Sequence, residues 1–132
     1  MILVNPNLQL EELENGVKYN GKFYSYRTLS LSAVTKTKQS PLNTRWYIKQ
    51  CTVGIRTVAG DTTTYSLVSG SWNMESMVFA FVEVVPSVAQ SINFAFPVNL
   101  LLDAGSALTI AFGVADPTHA TWMFTIAEVD DI

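Results

Sequence analysis

The chain has 132 residues, 48% of them hydrophobic and 14% charged, a length and composition that give one domain with a buried core and exclude a disordered chain. Its single cysteine excludes an intramolecular disulfide, and one cysteine with one histidine excludes a structural zinc site, which needs several such ligands. Net charge is only −3, but all eight Lys and Arg lie between Lys18 and Arg56, and eight of the eleven acids lie from Asp61 onward.

Residues 1–20 are broken by the turn formers Asn5-Pro6, Asn15-Gly16 and Asn20-Gly21. They read as an N-terminal arm in which Leu3, Leu8, Leu10 and Leu13 need a neighbouring subunit to bury against, with residues 21–132 as the domain proper. The one helical candidate, Leu8 to Leu13, is too short to stand alone. Phe23 to Leu31, rich in Tyr, Thr and Leu, predicts a strand.

From Arg45 to Val58 the apolar phase begins on even positions, Trp46 and Ile48, and moves to odd ones, Cys51, Val53 and Ile55. A β-bulge near Gln50 produces such a change of phase. Gly60-Asp61 marks a turn, Thr63 to Val68 a short strand, and Ser69-Gly70-Ser71 another turn. Met77 to Val85 is apolar on both faces, as in a central strand or one lying in a subunit interface, where Phe79 and Phe81 make contact. Pro86 ends it.

Ile92, Phe94, Phe96, Val98, Leu100 and Leu102 alternate with smaller residues, the signature of a half-buried strand. Asp103-Ala104-Gly105-Ser106 forms a turn, and Leu108, Ile110, Phe112 and Val114 resume the alternation. A second turn at Ala115-Asp116-Pro117-Thr118 leads to Trp122, Phe124 and Ile126. The expected core is Phe94, Phe96, Leu100, Leu108, Ile110, Phe112, Trp122 and Phe124. About eight regularly spaced strands without a long helix predict an all-β fold, an antiparallel β-sandwich or jelly roll.

Little in the chain points to catalysis. His119, between Thr118 and Ala120, falls in a predicted turn and reads as a loop histidine without a role, and nearby nucleophile candidates such as Ser106 carry no nucleophile-elbow signature. Cys51 sits within alternating apolar residues, the setting of a buried, inert thiol. The acids Asp103, Asp116, Glu128, Asp130 and Asp131 lack calcium-loop spacing and read as solvated turn and terminal charges. Glu83 interrupts an apolar strand face, either capping its solvent end or pairing across a subunit boundary. No catalytic residue, metal or cofactor is expected. Tyr19, Phe23, Tyr24, Tyr26 and Arg27 beside Lys18, Lys22, Lys36 and Lys38 resemble a strand-binding face, but the chain is acidic, and a packed sheet with a basic rim is the better reading. Direct nucleic-acid binding is not expected.

The N-terminal segment lacks a basic region followed by a long apolar stretch, so neither a signal peptide nor a membrane span is expected. The surplus of large apolar side chains, with three Trp, five Tyr and seven Phe, predicts self-association. The charge split has two readings: neutralisation within one interleaved sandwich, or complementary faces meeting between copies, with Lys36 and Lys38 at the contact.

A short arm, a compact sandwich and the stretch Phe96-Pro97-Val98-Asn99-Leu100-Leu101-Leu102-Asp103-Ala104-Gly105-Ser106-Ala107-Leu108-Thr109-Ile110 resemble the small β-sandwich or jelly-roll virion structural proteins of tailed bacteriophages, of the decoration, cement or fibre type. The resemblance is one of layout. It implies a non-enzymatic auxiliary capsid subunit that associates as a homo-oligomer, often a trimer, docks on other virion proteins and resides in the virion. The alternative is a tail or head-fibre component, or a carbohydrate-binding sandwich in which Trp72 and Trp122 stack on sugar rings of a host surface.

Overall fold

A computed structural model describes residues 2–5, 8–32, 35–56, 64–72, 75–84, 91–112 and 119–130; for Leu3, Leu8, Trp72, Phe79, Phe81 and Phe112 among them, only the backbone is described. The turns expected at residues 60–61 and 115–118, and Pro86, lie outside the described residues.

The described chain is all-β. Its strands are β1 (Ile2–Asn5), β2 (Leu8–Glu12), β3 (Gly16–Tyr19), β4 (Lys22–Ser25), β5 (Arg27–Ser32), β6 (Thr37–Gln39), β7 (Thr44–Arg56), β8 (Thr64–Trp72), β9 (Glu75–Val84), β10 (Ser91–Leu101), β11 (Ala107–Phe112) and β12 (His119–Asp130). They form three antiparallel sheets with strand orders β1-β2-β3-β4, β10-β7-β12-β5 and β6-β11-β8-β9.

In the last two sheets the pairing is nested, with β5 beside β12, β6 beside β11, β7 beside β10 and β8 beside β9. The first strand of the eight thus pairs with the last and the second with the last but one. Such a doubled-over long hairpin is a jelly roll. One apolar cluster joins its two sheets: Leu29, Leu31, Trp46, Ile48, Cys51, Val53, Ile55, Trp122, Phe124 and Ile126 from one, and Val68, Leu108 and Ile110 from the other.

The expected bulge is present, centred one residue before Gln50. Against β12, Gln50 faces Thr125 and Ile48 faces Ile126, so Lys49 has no opposite number. The extra residue moves the inward phase of β7 from Trp46 and Ile48 to Cys51, Val53 and Ile55, all at most 2% exposed. The neighbouring strand is irregular at the same level, between Pro97 and Leu100, where Asn99 has φ 52°.

Residues 1–20 differ from expectation. Asn20 and Gly21, with φ 50° and 85°, form a two-residue hairpin turn in which both central residues need positive φ, the reason for the Asn-Gly pair. The anticipated boundary at residue 20 therefore falls inside the β3–β4 hairpin. The strand-forming residues before and after it share one sheet, which packs on the outer side of β7 and β12. Leu10, Val17 and Tyr19 are buried against Tyr47, Ala127 and Val129, with Tyr24, Tyr26 and Leu101 partly buried around them. Leu10 thus buries within its own chain, and Leu13 is partly exposed. Leu8 to Glu12 is a strand, since its alternation is satisfied by pairing with β1 and β3.

This third layer gives the described residues a second core, which takes up Tyr19, Tyr24, Tyr26 and Tyr47. Of the expected core, Leu108, Ile110, Trp122 and Phe124 are buried. Phe96 and Leu100 pack on it from partly exposed positions, and Phe94, at the end of an edge strand, is 37% exposed.

Candidate functional site

Two surfaces and one cleft emerge from this architecture. The first surface is the free edge of β9. Among the described residues β9 pairs only with β8, which corrects the expectation of a central strand: the long apolar run lies at the margin of its sheet. From Met77 to Val82 six consecutive residues are apolar, and Val78 is 54% exposed. An edge with these properties presents unpaired backbone donors and acceptors beside apolar side chains. The opposite sheet ends differently, because β10 carries Pro97, which lacks the backbone donor and blunts its edge.

The second surface is the part of the outer face of β10-β7-β12-β5 that the N-terminal sheet leaves uncovered. Pairing places Ala95, Thr52, Met123 and Ser30 side by side, with Asn93, Gly54, Thr121 and Ser32 in the row on one side and Pro97, Gln50, Thr125 and Thr28 in the row on the other. None of these residues is charged, and Met123 is 43% exposed. Along β12 the odd-numbered face changes from exposed Thr121 and Met123 to fully buried Ala127 and Val129, where the N-terminal sheet begins.

The cleft lies at that boundary, over the bulge. Two adjoining shallow hollows of about 460 and 350 Å³ share Glu12, Lys49 and Asn99; Leu13 and Glu14 line one, and Gln50, Ala95, Phe96 and Pro97 the other. The Tyr47 hydroxyl donates to Glu12 Oε2 at 2.8 Å, with Asn99 Oδ1 at 3.4 Å. Lys49 Nζ stands 5.0 Å from the centroid of the Tyr26 ring, a cation–π contact. Burial raises the Tyr47 phenol far above its ordinary pKa, reinforced by its hydrogen bond to Glu12 and by the Glu12 charge. Burial, then the same charge, pushes Tyr26 up to about 12. Neither phenol is an acid near neutrality.

Part of the charge split is neutralised within the chain. Lys22 pairs with Asp130 at 3.6 Å, Arg27 with Glu128, and Arg45 with Asp103 at 3.8 Å. Each of these cations comes from the basic half and each acid from the acidic half; nested pairing sets Arg27 and Arg45 beside late residues, and docking of the N-terminal sheet does so for Lys22. Lys36 precedes β6 and Lys38 lies in it, at the edge of the β6-β11-β8-β9 sheet, both partly exposed. The structure does not gather them with Leu10, Leu13 and β9 into one patch.

Trp122 is fully buried and stacks on Phe124 at 6.5 Å, so it offers no face to a sugar. The side chains of Leu3, Leu8, Trp72, Phe79 and Phe81 lie outside what is described, although the backbones of Phe79 and Phe81 lie on the free edge. Tyr19 is buried, Tyr26 is covered by Lys49, and Lys22 stands over Tyr24 at 5.4 Å; the aromatic–basic segment is a packed sheet with a basic rim. Cys51 is buried, which raises its pKa to about 11 and suppresses the thiolate. Among the described residues no cluster of His, Cys, Asp and Glu could hold a metal ion. The cleft escaped sequence reading because Glu12, Lys49 and Asn99 meet only through the docking of the N-terminal sheet.

No protein-family profile and no curated protein matches the chain. Among solved structures, the core of Drosophila NLP, described in connection with pentamer formation and histone binding, superposes with a TM-score of 0.47 at 9% identity, covering 80% of this chain and 99% of that one. A likeness at that level carries no argument about function.

Proposed function

We propose that this chain is a non-enzymatic structural subunit that self-associates through the free edge of β9, and that it serves as an auxiliary, decoration-type protein docked on a virus shell. The observation that carries self-association is the position of the apolar run Met77 to Val82 on an edge strand. A long apolar edge left open invites aggregation, whereas pairing with a second copy would satisfy its backbone and cover its side chains in one step.

The uncharged outer face is a secondary contact. Four strands about 4.8 Å apart and five residues rising about 3.4 Å each give roughly 300 Å², well below the approximately 800 Å² per partner of a standard interface. Alone it would hold a copy or a shell protein weakly; repeated around an array it adds up. It offers no ion pair to nucleic acid, whose binding depends on phosphate neutralisation. The virion reading is supported by the jelly-roll nesting, an architecture shared by capsid and lectin domains. Pairing of one β9 edge with another gives a two-fold dimer; the trimer that the phage resemblance implies requires β9 to meet a different surface of the next copy.

Sedimentation velocity over a concentration series tests the association. The chain is expected to form a discrete oligomer, and Val78→Lys, which places a charge on the edge, is expected to return it to monomer. A chain that is monomeric throughout, or an oligomer indifferent to Val78→Lys, overturns the proposal. Recovery of the protein in many copies from purified virus particles tests the location.

A further inference from the structure

We propose that the cleft over the β7 bulge binds a neutral sugar ring, with Glu12 accepting from ring hydroxyls, Asn99 and Lys49 donating to them, and Ala95 and Pro97 lying against the ring's C–H face. This goes beyond the assembly reading and does not depend on it.

The argument begins with how the cleft is made. A bulge re-aims side chains that a regular strand would hold in register. Here Lys49 is the unopposed residue of β7, and Asn99 sits opposite the same irregularity in the left-handed conformation. Glu12 arrives from the N-terminal sheet and is held by the Tyr47 hydroxyl at 2.8 Å. Lys49 is held over the Tyr26 ring at 5.0 Å and not in an ion pair with Glu12. A carboxylate, an amide and an ammonium group thus line one hollow from fixed positions, beside an apolar margin in its neighbour.

The ligand chemistry follows from charge and depth. Glu12 and Lys49 offset each other, and the exposed Glu14 leaves one negative charge at the rim, so the cleft disfavours an anion. A dipolar ion could bridge them, but exposed ion pairs are weak and screened by salt. The hydroxyls of a neutral ring hydrogen-bond to charged groups, and each hydroxyl both donates and accepts, which matches a site holding carboxylate acceptors, one donor group and one amide that is both. A shallow cleft suits a ligand that keeps its remaining hydroxyls in water.

Amide chemical-shift titration of the intact chain tests this, with glucose, galactose, mannose and N-acetylglucosamine as probes, and glycine and inorganic phosphate in parallel. At least one sugar is expected to give saturable shifts at Lys49, Gln50 and Asn99, while glycine and phosphate give none. Asn99→Gly keeps the backbone conformation and deletes the amide; it is expected to weaken binding about tenfold, the loss of one hydrogen-bonding group. Lys49→Met is expected to do the same with the bulge retained. Repeating the titration on the Val78→Lys chain separates the two proposals, because the sugar shifts should survive whatever happens to self-association. The inference is overturned if no sugar saturates, if only glycine or phosphate moves these amides, or if Asn99→Gly binds as the parent does.

Discussion

The hydroxyl of Tyr47 donates to the carboxylate of Glu12 at 2.8 Å, joining the outer face of the jelly roll to the sheet that covers it. Tyr47 itself is fully buried, so its phenol has few other partners. Tyr47→Phe is expected to cost about 1–3 kcal/mol in chemical denaturation, the penalty for leaving a partly buried carboxylate without its donor. Glu12→Gln keeps an acceptor in place and should cost less.

High pH should loosen the same junction. Tyr26 is raised from about 10 to about 12, and Tyr47 is raised by the same burial and carboxylate. The unfolded chain therefore loses these protons before the folded chain does. Their contribution is complete below about pH 10 and is lost as pH climbs through the folded values, since folding then holds protons that the unfolded state has released. Stability measured across an alkaline series should fall above about pH 10, and Tyr26→Phe, which also removes a buried hydroxyl without a hydrogen-bond partner, should make that fall shallower.

Removing residues 1–20 should damage the protein as well as shorten it. Tyr47, Ala127 and Val129 would lose the cover of Leu10, Val17 and Tyr19, at about 1.5–3 kcal/mol for each large side chain re-exposed. A lower melting temperature and binding of a hydrophobic dye are the expected outcomes; an unchanged melting curve would mean that the layer contributes nothing to stability.

Deleting Lys49 should prevent folding, whereas Lys49→Ala should be tolerated. Without the extra residue, Trp46 and Ile48 cannot face inward together with Cys51, Val53 and Ile55, because a one-residue slip turns every following side chain to the other face. Circular dichroism with thermal melting distinguishes the two variants. Phe124→Ala, a truncation at a fully buried position, should cost about 3–5 kcal/mol.

Self-association should be nearly insensitive to salt. The apolar run Met77 to Val82 at the β9 edge and the outer-face rows from Asn93 to Pro97 carry no charge, and the cations Lys22, Arg27 and Arg45 are paired with acids of their own chain. Sedimentation at low and high ionic strength measures this; a strong weakening by salt would show that charges between copies hold the assembly.

The sequence by itself determined the strands over residues 44–56, 91–101, 107–112 and 119–130, the bulge of β7 and the inward set Leu108, Ile110, Trp122 and Phe124, because strand periodicity is local: alternate residues face opposite sides whatever the partner strand. It also carried the Asn20-Gly21 turn, whose positive φ angles need those residues. The turn expected at Ser69-Gly70-Ser71 instead lies inside β8, and residues 1–20 hold three strands. Tertiary structure alone decided where the faces go. Tyr47, Ala127 and Val129 lie on what periodicity marks as an outer face, and only the folding-back of residues 8–25 buries them. Met77 to Val85 reads either as a central strand or as one lying in a subunit interface, and chain nesting decides against the first by leaving β9 at an edge. Nesting brings residues such as Arg27 and Glu128 together from distant parts of the chain, and docking of the N-terminal sheet does the same for Glu12, Lys49 and Asn99. No local pattern encodes those meetings, since each depends on which strand finds which neighbour.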